Sequence, residues 1–234
     1  MLTDPVLRGR VAHLRRHGPR PEAPAKVDAV LLSHLHRDHA DRLSLRLLDR
    51  GVRVLAPRGA GEWVRRSGFF HVEELAAGEE VEVGSVRLAA VPALHDPRRH
   101  PFGGARAQPI GFVVGGEHGI YFAGDTDLFE GMAQLAPLEA ALLPVAGWGP
   151  KLGPGHLDPA RAARAAAMLR PRMAVPIHWG TLRPRWIRPG NWFRDPPHAF
   201  AARVAELTSE VDVRVLAPGE SLELPPKAAG FSRH

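Results

Sequence analysis

The chain has 234 residues, 44% of them hydrophobic and 24% charged, with a formal net charge of +6 and no cysteine. These values describe an ordinary globular chain and exclude a disulfide framework and any thiolate metal site. No window approaches the ~18 uninterrupted apolar residues of a membrane helix, and Met1-Leu2-Thr3-Asp4-Pro5 lacks the basic-then-apolar character of an export signal, so a cytoplasmic protein is expected.

In chain order, residues 6–25 are rich in Arg, Pro and His without periodicity and read as a loop, and Arg8, Arg10, Arg15 and Arg16 read as solvated rather than as phosphate contacts. Val27 to Ser33 is an apolar run that predicts a buried strand. A helix is expected over 40–50, ended by Gly51, then a strand over 52–56 stopped by Pro57 and a helix over 59–67. Two hairpins follow, 81–83 with 86–91 around Gly84-Ser85, and 110–114 with 120–123 around residues 115–119. A strand over 140–145 precedes an alanine-rich helix over 159–169, with Asp158 as N-cap and Pro159 in its first turn. A strand over 173–177, a helix over 197–207 and a closing strand pair, 213–216 with 221–224, complete the pattern. The expectation is a single α/β domain over 1–224 with helices covering sheets, and a frayed tail over 225–234.

The chemistry concentrates in His34-Leu35-His36-Arg37-Asp38-His39, directly after the first buried strand. Histidines at i and i+2 on an extended segment point the same way and can reach one ion. Asp38 and His39 follow at a turn and can face the same pocket from another side. Three more donors stand just past apolar strands: His95, Asp125 after Gly124, and His178 before Trp179-Gly180. Imidazole and carboxylate together suit zinc, manganese or iron.

In this order of motifs the chain resembles the metallo-β-lactamase-fold hydrolases: H-x-H-x-D-H, then a His, then an Asp in a G-D-T-like turn, then a His after a strand. The resemblance implies an αββα sandwich of two mixed sheets flanked by helices. It implies two divalent ions, zinc first, with manganese or iron as alternatives. His34, His36 and His95 would hold one ion, Asp38, His39 and His178 the other, and Asp125 would bridge them. Thr3-Asp4-Pro5 is similar to the early strand-end Asp that orients the ligand loop in this family. Gly155-His156-Leu157-Asp158-Pro159-Ala160 resembles a segment of the branch that holds relatives of N-acyl-phosphatidylethanolamine phospholipase D and of ascorbate-phosphate lactonase. In that branch a strand pair precedes the Thr-Asp-Pro turn, so the first edge strands are expected to be missing or to lie before the given start.

The expected activity is dinuclear metal-dependent hydrolysis of a phosphodiester or a phosphorylated ester or lactone. Asp38 and His156 are the residues expected to act in catalysis itself, His156 as a contact to substrate or leaving group. The expected partner is a small anionic or phosphorylated molecule. Lysine stands only at 26, 151 and 227, so the positive charge is nearly all arginine, and its spread among Ala, Pro and Gly reads as compositional bias. A nucleic-acid substrate is therefore not expected. Two alternatives stay open: an RNA-processing nuclease of the same fold, and a non-catalytic metal-binding protein. A homo-oligomer is compatible with all three. Trp148 is read as core packing or a pocket wall, and Trp186, Trp192 and Phe193 as a subunit contact, a pocket wall or simple packing.

Overall fold

A computed structural model describes residues 1–100, 103–115, 119–135 and 137–224. The elements in its first half are β1 (Leu2–Thr3), β2 (Arg10–Val11), β3 (Leu14–Arg16), β4 (Ala29–Leu31), α1 (Arg42–Leu45), β5 (Arg53–Pro57), α2 (Gly61–Arg65) and β6 (Val72–Leu75). The hairpin strands β7 (Glu80–Val83) and β8 (Val86–Pro92) follow, then β9 (Arg98–His100), β10 (Gly103–Arg106), β11 (Ile110–Val114) and β12 (Ile120–Phe122). A 3₁₀ turn (Glu130–Leu135) leads to β13 (Ala140–Pro144), α3 (Pro159–Leu169), β14 (Met173–Ile177), β15 (Leu182–Pro184), α4 (Asn191–Arg194), α5 (Pro196–Leu207) and β16 (Asp212–Val213).

Two sheets face each other. The first is parallel throughout, in the order β1-β4-β5-β6; the second is mixed, in the order β16-β14-β13-β12-β11-β8-β7. Alternation along each strand builds the layers. In β4, Ala29 and Leu31 enter the core between the sheets, while Val30 and, just beyond the strand, Leu32 pack outward beneath α1 and α2. In β12, Phe122 faces the same interior and Tyr121 turns to the outer layer of α3 and α5. Helices outside and sheets inside give the αββα sandwich that the motifs imply. Among the described residues no helix is long and apolar enough to cross a membrane.

The differences from the sequence reading have local causes. Residues 6–25 are not wholly a loop: β2 and β3 form a hairpin that joins β15 in a three-stranded sheet, anchored by buried Val11 and Leu14. Strands this short leave no period to read. The helix expected over 40–50 is only one turn: Asp41 caps its start by accepting from Ser44 N, and after Arg46 the backbone passes into i→i−3 turns, Leu47 N to Ser44 O and Leu48 N to Leu45 O. The closing strand pair is absent: β16 adds in parallel to β14, and Leu216 and Leu224 instead pack on the inner face of β13 and β14. Residues 116–118 of the second hairpin turn and the tail expected over 225–234 lie outside the described residues.

Phe112 is fully buried where the sheets meet. Phe112→Ala should cost about 3–5 kcal/mol through lost transfer energy and an unfilled cavity. Guanidinium unfolding followed by circular dichroism reads this directly, and a loss below about 1 kcal/mol would contradict the placement of this core.

Candidate metal centre

Each loop that carries a predicted ligand, and the turn that carries Asp4, leaves a strand at the same end of the sandwich. Asp4 follows β1, residues 34–39 follow β4, His95 follows β8, Asp125 follows β12 and His178 follows β14. Ligand atoms of His34, His36 and His95 lie within 4.8 Å of one another, as do those of Asp38, His39, Asp125 and His178. His156 joins a third set with His95 and Asp125. All seven predicted ligands, and His156, thus converge on one cleft.

The hydrogen bonds around the rings fix which nitrogens carry protons. His39 Nδ1 lies 2.8 Å from Asp4 Oδ2 and donates to it. His178 Nδ1 donates to the Ala146 carbonyl at 2.8 Å, and His95 Nδ1 to the Gly155 carbonyl at 2.6 Å. Ser33 Oγ gives its proton to Asp4 Oδ2 at 2.5 Å, so it accepts from His34 Nδ1 at 2.9 Å. In neutral rings every Nε2 of these four histidines is then a bare lone pair.

The lone pairs on His39, His178 and His95 each face another histidine nitrogen at close range. His39 Nε2 faces His178 Nε2 at 3.0 Å, and His95 Nε2 faces His36 Nδ1 at 2.8 Å. His34 Nε2 and Asp125 Oδ1 are buried without any hydrogen-bond partner. Acceptors pressed together in a buried site repel unless a cation lies between them. The donor set is nitrogen and oxygen only, which suits zinc, manganese and iron. The residues present therefore fit a divalent metal.

The electrostatics carry the same demand for positive charge. Burial, reinforced by the neighbouring His39, holds His34 well below the usual imidazole range, and burial brings His95 down to about 4. Burial opposes protonation of His39, but the Asp125 and Asp38 carboxylates override it and raise that ring well above the usual range. His178 moves up against burial through Asp125 and Asp38. Burial would raise Asp38, yet His39 and His178 bring it down to about 2. Without a metal, protons on His39 and His178 stand where a cation belongs.

Sequence-local features make this approach possible. Gly124 has φ +59°, and a Cβ there would come within 2.5 Å of the Ser33 side chain, so the turn that delivers Asp125 requires glycine. Asp4 (φ 39°) and His178 (φ 63°) hold left-handed backbones that non-glycine residues rarely adopt. Thr126 Oγ1 accepts from Leu94 N at 2.9 Å and ties the Asp125 turn to the His95 loop. Arg99 donates to the carbonyls of Leu35 (2.6 Å) and Ala40 (3.1 Å) and lies over the Trp63 ring, clamping the histidine-rich loop. The sequence reading missed Thr126, Arg99 and the Ala146 and Gly155 carbonyls; backbone acceptors carry no sequence signal, and Arg99 sits in an arginine-rich run that reads as solvated.

Beside Asp38, His39 and His178 opens a cavity of about 300 Å³, walled by Trp148, Trp179 and Leu142 and bordered by Arg16. Trp148 is 40% exposed, which makes it a wall rather than core. His13 lies between Trp148 and Trp186, at ring distances of 5.0 and 5.5 Å. Phe193 is buried and packs edge-on against His17 and Trp192.

Residues 1–179 match the family model of the beta-lactamase superfamily domain. The chain is 32% identical over 231 residues to a UPF0173 metal-dependent hydrolase of Methanopyrus kandleri, covering 95% of this chain and 91% of that protein. It is likewise 32% identical to a UPF0173 metal-dependent hydrolase of Opitutus terrae, covering 96% and 92%. Among solved structures it is similar to Igni18, a metallo hydrolase of Ignicoccus hospitalis (TM-score 0.65, 26% identity, 84% of this chain and 79% of that one). The fold is also shared with an isothiocyanate hydrolase from Delia radicum gut bacteria (TM-score 0.68, 20% identity, 94% and 91%).

Asp4 is not among the expected ligands but holds one of them, His39, at Nδ1 and reaches His34 through Ser33. Asp4→Asn should weaken metal retention by roughly 10–100-fold, the usual effect of removing the partner of a ligating histidine. Competition with a chromogenic chelator measures it, and unchanged retention would remove Asp4 from this role.

Proposed function

The chain belongs to the metallo-β-lactamase-fold metal-dependent hydrolases, and from that membership we propose a dinuclear enzyme acting on a phosphodiester or a phosphorylated ester or lactone. His34, His36 and His95 would hold one ion, Asp38, His39 and His178 the other, with Asp125 shared between them. Zinc is the first choice, manganese and iron the alternatives. The observation that carries the reading is the two facing pairs of ring nitrogens, His39 with His178 at 3.0 Å and His36 with His95 at 2.8 Å. They support two cation positions on either side of one carboxylate. Bound divalent ions supply Lewis acidity and an activated water at neutral pH.

The chain's own groups set the geometry around that chemistry. Asp38, kept ionised by His39 and His178, orients the attacking water as a hydrogen-bond acceptor. His156 is held by the Gly153 and Pro154 carbonyls, each 3.1 Å from its Nδ1, so its Nε2 faces Asp125 at 3.5 Å and the cleft beyond. From there it contacts the leaving-group oxygen and supplies its proton. Trp148 and Trp179 keep water away on the cavity side. The segment around His156 and the positive balance of the chain support the phosphorylated-ester reading and the branch of phospholipase D and lactonase relatives.

Elemental analysis of protein purified without added metal should find two equivalents of transition metal per chain, and the loaded protein should cleave bis-p-nitrophenyl phosphate or a phosphorylated lactone. Asp125→Asn should lower the metal stoichiometry and abolish turnover. His156→Gln should keep the metal and lose roughly 10²–10⁴-fold in kcat. Absence of turnover across both substrate classes at full metal loading would sink the substrate assignment.

A further inference from the structure

The three-stranded sheet outside the sandwich carries an arrangement that the metal centre does not use. Its register places Arg183 opposite Arg15, and Arg15 opposite Arg10. Residues directly opposite in an antiparallel ladder share a face, and like charges so placed destabilise a sheet. The row cannot turn away, because the opposite face of the hairpin is committed to the core by Val11 and Leu14, 1% and 3% exposed.

Arg8 and Arg20 join Arg10 and Arg15 around a hollow of about 370 Å³ floored by Gly9. A Cβ at position 9 would meet Arg20 Nε at 2.8 Å, so a bare backbone lets that guanidinium lie in. Arg8 faces Asp41 at 3.6 Å. Among the described residues no carboxylate reaches ion-pair distance of Arg10, Arg15, Arg20 or Arg183, whereas Arg53, Arg58, Arg66, Arg172, Arg203 and Arg214 each have one. Other arginines, such as Arg46 and Arg65, also lack one, but they do not line this hollow. Arg183 Nε is buried with no acceptor. The two segments that form this sheet, 8–20 and 181–194, contain nine arginines and neither Asp nor Glu.

We propose that this recess binds a multiply charged phosphate anion, separately from the metal cleft. Guanidinium forks match phosphate oxygens in pairs, and several unneutralised forks around one hollow suit linked phosphates better than a single one. The His13–Trp186 stack at the other end of the same hairpin, with Trp186 65% exposed, offers a flat apolar surface for any ring attached to that anion. The site stands whether or not the metal centre hydrolyses a phosphoester.

The test is calorimetric titration of metal-loaded full-length protein with sodium tripolyphosphate, with orthophosphate as comparison and metal content checked afterwards. One saturable site is expected, at least about tenfold tighter for tripolyphosphate than for orthophosphate and weakened by added salt. Arg10→Gln/Arg15→Gln should lose about tenfold or more in affinity, while Arg10→Lys/Arg15→Lys retains more of it. Both variants should keep the metal content and the thermal unfolding midpoint of the parent. A nucleoside triphosphate binding more tightly than tripolyphosphate assigns the anion to a nucleotide; a short single-stranded RNA binding more tightly still assigns it to a phosphodiester backbone. No saturable binding, equal affinity for orthophosphate, or a glutamine variant that binds like the parent overturns the proposal.

Discussion

The Asp4 carboxylate sits at the end of the edge strand β1, in a backbone conformation (φ 39°) that costs an ordinary residue about 1–3 kcal/mol. Its Oδ1 accepts from Ser33 N at 2.8 Å, and its Oδ2 accepts from the Ser33 hydroxyl and from His39 Nδ1. One side chain thereby joins β1 to the loop after β4 and sets two tautomers, that of His39 directly and that of His34 through Ser33. The Asp4 backbone N–H completes the clasp by donating to Leu31 O at 2.9 Å. The strain is tolerated because four bonds determine the position together. His178 repeats the device on the other sheet, with φ 63° and a bond to Ala146 O.

The sandwich makes this clasp useful. Parallel strands in the first sheet and the β12-β13-β14 part of the second send their C-terminal ends to one rim. The expected ligands are consequently drawn from four separate loops, each braced by its own strand, with Asp4 supporting them from a fifth. The cost lies in electrostatics: lone pairs and carboxylates are gathered with little water to screen them. Only positive charge offsets that cost, and the raised affinity of His39 and His178 for protons is the same demand met by the smallest available cation. Folding of the rim and cation binding are therefore linked through the same side chains.

The histidine-rich loop was legible because period-two spacing after an apolar run is a geometric statement as well as a motif. His95, Asp125 and His178 were legible as polar residues ending apolar strands, and Gly124 as the glycine a tight delivery requires. The helix over 159–169 was fully readable from Asp158, Pro159 and its alanine stripe, and the structure gives it the same bounds. The β2–β3 hairpin was not readable. Its strands are two and three residues long, and the buried Val11 and Leu14 are interleaved with arginines that dominate the local composition. The helix after His39 looked longer than it is because its apolar spacing continues past Leu45, where the backbone passes into i→i−3 turns; the hydroxyl of Ser44 is meanwhile tied across the chain, accepting from Leu7 N. In each case the decisive contact is long-range or involves the backbone, and neither leaves a trace in residue order.

Charge shows the same division between composition and placement. A net charge of +6 spread over arginines says little by itself. In the fold, ten arginines of the described residues pair with a carboxylate, many on an adjacent strand or helical turn, such as Arg53 with Glu73 at 2.5 Å and Arg203 with Glu206 at 2.7 Å. Such exposed pairs add little stability, but they cancel the local field. Unpaired arginines also occur elsewhere, but those of the small sheet formed by β2, β3 and β15 are gathered around one hollow, and Arg16 of β3 also borders the cavity beside His178. A field that emerges from one side of a molecule draws anions to that side, and its reach shortens as ionic strength rises. Arginines that looked like a compositional accident are thus given a shared position by the fold, which residue order alone does not reveal.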